Sequence, residues 1–372
     1  MPYGILAADQ IQSSVTGVSL GAGNATQFKN RLINGNMVID QRNSGASLTP
    51  TNGAYTLDRW SANLTQASKF TVQQNAGSVT PPTGFTKYLG VTSSSAYSVS
   101  TGDYFAILQA IEGNNVADLG FGTASAKTVT LSAWVYSSLT GTFGGALRNY
   151  NADRSYPFNY SIPVANTWTQ ISVTIPGDTT GTWSLGTNTG SMFVIFSLGA
   201  GSTLSTTANA WAAGNYIQPT GSTSVVGTSG ATLYITGVQL EVGSFATGYD
   251  FVDYTSQLNM CYRYYWRVTP GAATLYYPSV YSPYAGNSMF GTISIPIPMR
   301  TAPTFTYSAL SDWNTTSPVY NGGNNTSWTM NGSGVQQANL TIVSTNSGFT
   351  TQAVVFPYPN NSTAWFAFSA EL

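Results

Sequence analysis

Short runs in which apolar and polar residues alternate recur along this chain, and clusters of Gly, Pro, Ser and Thr separate them. Residues 128–135 place four aliphatic side chains on one face, and residues 169–176 repeat that alternation. A period of two is the pattern of a β-strand with one buried face. Many short strands between turn signals are typical of a β-sandwich, so the sequence predicts an all-β fold.

Several segments carry more specific predictions. Residues 191–198 are almost continuously apolar, which predicts a central strand covered on both faces. Another alternating run shifts its phase at Gly237, which predicts a β-bulge. Residues 141–145 form a Gly-rich turn signal, and residues 107–112 suggest a single helical turn. A short connecting helix is expected at residues 255–262.

Composition and spacing divide the chain into three segments. Residues 1–28 are too poor in large apolar side chains to form a core, so we expect an extended segment that is ordered only when a partner holds it. Residues 29–253 form the first β-domain. Residues 254–372 form a second β-domain, in which only Asp312 and Glu371 are acidic. Aromatic surfaces with few charges favour oligomerisation of this second domain.

The residue inventory favours a binding or structural protein over an enzyme. The 372 residues include no histidine, 7% are charged, 13% are aromatic, and the net charge is −1. The missing histidine excludes a Ser-His-Asp triad, and the neutral charge gives no attraction to nucleic acid or an anionic membrane. Cys261 is the one cysteine, so no intrachain disulfide forms. Lacking a secretory signal and a membrane-length apolar stretch, the chain is expected to be made in a cytoplasm.

Five short strings occur in order at residues 29–43, 55–60, 234–243, 258–265 and 296–303. Together they resemble a widespread group of bacteriophage tail-fibre and related virion proteins. The resemblance implies a jelly-roll β-sandwich similar to carbohydrate-binding modules, followed by a distal β-domain in a homotrimer. It also implies attachment to a virion, and it supplies no catalytic residues.

Three hypotheses about function follow. In the first, a trimeric tail fibre attaches to other virion proteins through residues 1–28 and binds host-surface glycan with distal loops. In the second, the chain is a capsid decoration or head-fibre protein. The third and weakest is a polysaccharide depolymerase, which needs two carboxylates about 5–10 Å apart; Asp250 and Asp253 are the nearest pair in sequence.

Aromatic side chains are the candidates for glycan or receptor binding, because their rings stack on sugar faces without needing charge. The candidates lie in or beside loop-like stretches of the second domain and are Tyr276, Tyr277, Tyr281, Tyr284, Trp313 and Trp328. Loops on a rigid β-scaffold commonly carry binding groups. The alternative is that these rings fill a trimer interface.

Three charged residues are candidates for a structural role. Glu241 lies in an otherwise apolar strand, and a buried charge needs a partner. We expect Arg59, or failing that Arg42, to reach Glu241 and tie the first strand of the sandwich to its last. The alternatives are a structural calcium ion held by Asp58 or Glu241, as in carbohydrate-binding jelly rolls, or simple exposure. No other cofactor or metal is expected.

Overall fold

The computed structural model describes residues 28–270, 281–285, 287–316, 323–345 and 356–372. The chain separates into two compact units, Met1–Asp253 and Tyr254–Leu372. Strands dominate both units, and the described residues contain one α-helix and five short 3-10 helices. The 3-10 helices are Ala76–Ser78, Gly113–Asn115, Ala117–Leu119, Ser202–Leu204 and Leu310–Asp312.

The described part of the first unit contains fourteen strands. They are β1 (Ala54–Leu57), β2 (Trp60–Leu64), β3 (Phe70–Gln74), β4 (Leu89–Ser93), β5 (Tyr104–Glu112), β6 (Val129–Ser137), β7 (Gly141–Asn149), β8 (Arg154–Ile162), β9 (Thr169–Ile175), β10 (Gly190–Ala200), β11 (Ser205–Thr206), β12 (Ala212–Ala213), β13 (Gln218–Pro219) and β14 (Thr232–Val242).

Two antiparallel sheets of the first unit enclose one core. The larger has the order β1-β2-β5-β10-β7-β8-β12, and the smaller has the order β3-β4-β14-β6-β9. Trp60 and Phe196 from the larger sheet and Leu131 and Leu240 from the smaller one are buried in the same hydrophobic cluster. Burial of this apolar area is the main favourable contribution to folding. The predicted all-β fold with a jelly-roll β-sandwich is therefore confirmed.

The second unit is a smaller β-structure. It begins with α1 (Tyr254–Tyr262) and continues with β15 (Tyr265–Val268), β16 (Tyr281–Ala285), β17 (Ser288–Ser294), β18 (Thr304–Tyr307), β19 (Trp313–Thr316), β20 (Gly323–Ser333), β21 (Gln337–Ser344), β22 (Phe356–Pro359) and β23 (Phe366–Ser369). Its sheets have the orders β15-β23-β18 and β16-β17-β21-β20-β19-β22. The short helix predicted from the sequence is α1. The proposed anchor lies almost wholly outside the described residues, so it stays a prediction.

Three local predictions for the first unit are confirmed. β6 and β9 occupy the predicted runs, and the aliphatic face of each is buried. β10 lies between β5 and β7, as expected for a central strand. In β14, Gly237 has a left-handed φ of 60°, and the register with β6 shifts between Thr236 and Gln239. Glycine adopts that conformation at little cost, which allows the bulge.

Two local predictions are wrong. Residues 107–112 are part of β5 rather than a helical turn, because β10 pairs along nearly the whole strand. Residues 141–145 begin β7 rather than form a turn. At Gly145 a Cβ atom would lie 2.2 Å from the carbonyl O of Ile195 and 2.6 Å from the ring of Phe158. Glycine at this position allows close packing between neighbouring strands. The strand was not recognised from the sequence because its Gly-rich composition is typical of a turn.

The Asp103 carboxylate joins the loop before β5 to the loop after β2, and its titration should make the stability of the fold depend on pH in acid. A hydrogen bond from Tyr97 Oη at 2.7 Å is the main cause that holds the pKa of Asp103 at about 2, helped by Thr65 Oγ1 and the Ser100 amide. The native state therefore binds fewer protons than the unfolded chain, whose carboxyl has a pKa of about 3.9. This stabilisation is fully present above pH ~4 and disappears as the pH falls towards 2.

We expect Asp103→Asn to flatten the loss of stability between pH ~4 and ~2, because the titrating carboxyl is gone. Urea unfolding of the wild type and the variant at several pH values measures this. An unchanged slope in Asp103→Asn would assign the acid sensitivity to other carboxyls.

Two features are absent from the described residues. In the ranges that the structure describes, no helix combines the length and apolar character needed to cross a bilayer. Within the same ranges, no three Cys, Asp or Glu side chains are grouped closely enough to hold a metal ion together.

Candidate functional site

The outward face of the larger sheet carries a second, smaller set of apolar residues. Alternation along β5 directs Phe105 and Ile107 into the core, while Ala106 and Leu108 face outwards. Ile195 of β10 pairs with Leu108 and belongs to the same outer cluster. These residues are buried, because Leu204 and Ile217 from the connection that follows β10 pack against them.

A cavity of about 230 Å³ opens on this face, and we call it the outer cavity. Residues from β2, β5 and β7 and from the connection between β10 and β13 line it, among them Asn63, Tyr104, Leu108, Arg148, Asn215 and Ile217. Aliphatic groups form its floor, and the polar groups are amides, a phenol and a guanidinium. A mainly apolar concavity with a few converging polar groups is the usual form of a small-molecule site.

Arg148 provides the charge in the outer cavity. Register places it opposite Phe193 of β10, and its Cζ lies 4.9 Å from the centre of that ring. Its Nη1 donates a hydrogen bond to Asn215 Oδ1, while its Nε has no hydrogen-bond partner among the described residues. Burial lowers the pKa of Arg148 to about 10, so the guanidinium is still a cation at neutral pH.

An aromatic ledge lies beside Arg148 and consists of Tyr150 and Phe193. The two rings are stacked, with centroids 5.1 Å apart and planes 15° apart. Tyr150 is 39% exposed, so one side of the ledge is accessible. A Cβ at Gly190 would lie 2.1 Å from the Tyr150 ring, which explains why glycine occupies the start of β10. Such rings can pack against the C–H faces of a ligand.

The predicted aromatic candidates do not form this site. Tyr276 and Tyr277 lie outside the described residues, and Tyr281 and Tyr284 lie in β16, where only the backbone is described. Trp313 and Trp328 are 0% and 5% exposed and belong to the core of the second unit. Their burial does not fit the prediction that these two rings bind glycan or a receptor, because they pack against each other in the core with centroids 4.8 Å apart.

The predicted pairing of Arg59 or Arg42 with Glu241 is also wrong. Lys29 Nζ is the cation beside Glu241, 3.9 Å from its Oε2. Arg59 has a left-handed φ of 71° and donates from Nη2 to the carbonyl O of Ala110 in β5. The physical reason is that the segment before β1 runs alongside β14, which brings Lys29 to that position.

The segment before β1 is nevertheless hydrogen-bonded to β14, the last strand of the sandwich. Arg31 donates its backbone N–H to the carbonyl O of Leu240 at 2.9 Å, and Asn30 Oδ1 accepts from the Leu240 N–H at 3.1 Å. Backbone and side-chain amide groups therefore connect the first and last segments of the sandwich, where an arginine–glutamate ion pair is predicted from the sequence.

Hydrogen-bond donors surround the two carboxylates considered for calcium. Asp58 accepts from the backbone N–H and side-chain Nε2 of Gln41 at 2.7 and 2.5 Å. Glu241 accepts from the backbone N–H and hydroxyl of Thr247 and from Gln239 Nε2. Calcium needs six to eight oxygen ligands, whereas these surroundings supply N–H and O–H groups. Both carboxylates therefore fit a structural hydrogen-bonding role better than a calcium site.

The residues of the outer cavity were missed because they come from distant segments. Arg148 lies on the polar phase of β7, and the signal for that strand was read as a turn at 141–145. The alternation of Arg148 with buried Leu147 in a strand could have marked it as outward-facing. No signal in the sequence connects Asn215 or Phe193 to it, since only the sheet register and a long connection bring them together.

Comparison with known proteins gives the following. No family model matches the chain, and no curated protein matches it. Solved structures with similar folds include the enzymatically active domain of tailspike protein 4 of bacteriophage CBA120, at 13% identity and a TM-score of 0.31 over 57% of this chain. The chain spans 21% of that tailspike chain.

Two carbohydrate-binding modules are also similar. The family 11 module of a cellulosomal cellulase from Clostridium thermocellum has 13% identity and a TM-score of 0.27, over 55% of this chain and 99% of that one. The xylan-binding CBM22-1 domain from Paenibacillus barcinonensis Xyn10C has 11% identity and a TM-score of 0.25, over 54% and 97%. Similarity at this level carries no conclusion about what this chain binds.

Proposed function

We propose that this chain is a glycan-binding structural protein of a bacteriophage particle and that its first unit holds a sugar in the outer cavity. The observation that carries the glycan part is the combination of Tyr104, Arg148, Asn63 and Asn215 around one apolar floor. Sugars present C–H faces and hydroxyl groups together, and rings with amide and guanidinium donors match both.

The proposed activity is binding without cleavage. Glycoside hydrolysis requires two carboxyl groups on either side of the scissile bond. The lining of the outer cavity includes amides, a phenol and a guanidinium but no carboxylate. This composition supports adhesion and gives no support to the depolymerase hypothesis at this site.

Virion attachment and trimer formation belong to the same proposal and rest on different support. The ordered strings between residues 29 and 303 resemble phage tail-fibre proteins. Near the end of the first unit, Phe245 and Phe251 are 69% and 56% exposed. Exposed large apolar side chains of this kind are typical of surfaces that another chain covers. In this proposal residues 1–28 contact other virion proteins.

We expect Tyr104→Ala to weaken glycan binding about tenfold, which corresponds to a ring contribution of about 1.4 kcal/mol. A glycan array probed with labelled wild-type protein identifies the ligand, and titration calorimetry with that glycan measures the affinity of the variant. Tyr136→Ala is the matched control, since Tyr136 is a half-buried ring stacked on Tyr234 outside the smaller sheet. Equal affinities for wild type and Tyr104→Ala would place the binding site elsewhere.

The location on the particle needs a separate experiment. Electron cryomicroscopy of intact particles with antibody fragments against the first unit would show label at the tail for a tail fibre. Label on the capsid shell would instead support the capsid decoration or head-fibre alternative. Light scattering of the purified chain would give three copies per assembly, and a monomer at all concentrations would contradict the trimer.

A further inference from the structure

Arg148 differs from Arg31, Arg42 and Arg154 in having no carboxylate within ion-pairing distance. Arg31 contacts Asp118 at 2.8 Å, and Arg154 contacts Asp178 at 2.7 Å. Within the described residues no carboxylate lies within ion-pairing distance of Arg148, which contacts Asn215 and the ring of Phe193. Burying a cation without a counter-charge is unfavourable.

The unmatched charge of Arg148 is located where a ligand can reach it. The guanidinium lines the outer cavity, and the lining supplies no acidic group. Burial alone lowers the pKa of Arg148, with no carboxylate acting in the opposite direction. The site therefore favours a negative charge that the protein itself does not provide.

The geometry points to an acidic sugar as the ligand: the outer cavity takes one glycan unit that carries a carboxylate, and Arg148 pairs with it. The inference rests on the proposed glycan binding and specifies its substrate class. Nη1 is engaged with Asn215 and Nε is buried, so the carboxylate of the ligand would pair with the guanidinium at Nη2. A hydrogen bond between a guanidinium and a carboxylate is charge-assisted and stronger than one between neutral groups. Tyr104 and the floor of Leu108 and Ile217 then contact the sugar ring.

The size of the outer cavity supports a single unit as the main ligand. Its volume of about 230 Å³ is below the ~300 Å³ at which sites for drug-sized ligands begin. One sugar ring can enter the cavity, and the neighbouring unit of the glycan would extend towards the exposed Tyr150. A terminal or side-branch acidic residue therefore fits better than a buried stretch of chain.

The test uses pairs of sugars in which one member carries a carboxylate and the other a neutral group at the same carbon. The pairs are galacturonate with galactose, glucuronate with glucose, and N-acetylneuraminate with its methyl ester. Titration calorimetry or ligand-observed NMR with the full chain should show at least one acidic member binding about tenfold more tightly than its neutral partner, as expected for a charge-assisted hydrogen bond. The preference should shrink when NaCl is raised to ~0.5 M.

Variants assign the preference to Arg148. Arg148→Met keeps the bulk of the side chain and should remove the acidic preference while the melting temperature stays equal or rises, because an unmatched charge is lost. Arg148→Lys should recover part of the preference, since it restores the charge without the planar guanidinium. Lys69→Met is the matched control, because Lys69 also lies over a ring, at 4.5 Å from the centre of Tyr97, away from the cavity.

The outcomes separate the two proposals. If neutral sugars bind in a Tyr104-dependent way and every acidic partner binds no better, the acidic inference is overturned and glycan binding stands. If Arg148→Met keeps the full acidic preference, the carboxylate is recognised by another group and the inference is likewise overturned. If no sugar or array glycan binds at all, both proposals fail together.

Discussion

Replacing Trp313 with alanine should destabilise the second unit by about 3–5 kcal/mol and leave glycan binding by the first unit unchanged. Trp313 is fully buried, contacts the rings of Trp328 and Phe366, and donates from Nε1 to Ser308 Oγ at 3.1 Å. Its removal leaves a cavity in a core much smaller than that of the first unit, and it removes one of the two hydrogen bonds that the Ser308 hydroxyl accepts. Urea unfolding measures the loss, and hydrogen exchange of peptides covering residues 304–369 assigns it to the second unit.

Trp365→Ala is the control for this prediction, because Trp365 is only half-buried and lies against the Arg267 guanidinium at 4.5 Å. A loss of about 1 kcal/mol or less is expected there, as for a cation–π contact at a partly exposed site. If Trp313→Ala kept its stability but lost glycan binding, Trp313 would be a recognition ring and the outer cavity would not be the site.

Trp313 also shows where sequence reasoning ends. The ring lies among Asn, Ser and Thr residues that resemble a binding loop. Its burial depends on the pairing of β19 with β20 and β22, and β22 is about forty residues away. Pairing over such separations is a property of the whole sheet, so local composition gives no indication of it. Exposure of an isolated aromatic residue is therefore the least predictable quantity in this chain.

Periodicity was informative where one strand could be considered alone. β6 and β9 each bury one aliphatic face, and the alternation of apolar and polar residues in each strand predicts this face. The bulge at Gly237 could be predicted because a change of phase is also local. β5 was misread because residues 107–112 contain Leu, Gln, Ala and Glu, which favour helices. Pairing with β10 on one side and β2 on the other overrides that preference.

The outer cavity illustrates the same limit for function. Arg148, Phe193 and Asn215 become neighbours only after β7 and β10 pair and the connection after β10 folds back. Composition favoured binding by neutral, ring-bearing surfaces, and the cavity has such rings. The composition did not indicate that an arginine without an acidic partner would lie beside these rings. That arginine is the feature that most restricts the chemical class of the ligand.

The ion pair between Arg154 and Asp178 should contribute more to the stability of the first unit than any other ion pair described. Arg154 opens β8 in the larger sheet, and Asp178 follows β9 of the smaller sheet, so the contact joins both sheets. Nε and Nη2 donate to the two carboxylate oxygens at 2.7 and 2.8 Å, and Asp178 is 2% exposed. We expect Arg154→Met to cost about 3 kcal/mol, because it leaves a buried carboxylate without its cation.

The pH dependence and a double-mutant cycle test this contact together. Burial raises the pKa of Asp178, but the hydrogen bonds from Arg154 and Thr180 outweigh it and hold the pKa below the ordinary value. The stabilisation is therefore present above pH ~4 and is lost as the pH falls through the lower native pKa of Asp178.

In urea unfolding, Asp178→Asn added to Arg154→Met should recover part of the lost stability, since the unpaired charge is removed. Arg31→Met is the control and should cost at most ~1 kcal/mol, because its partner Asp118 is exposed. Strictly additive effects of the two substitutions would show that the two side chains act independently and that the sheets are held together by the core alone.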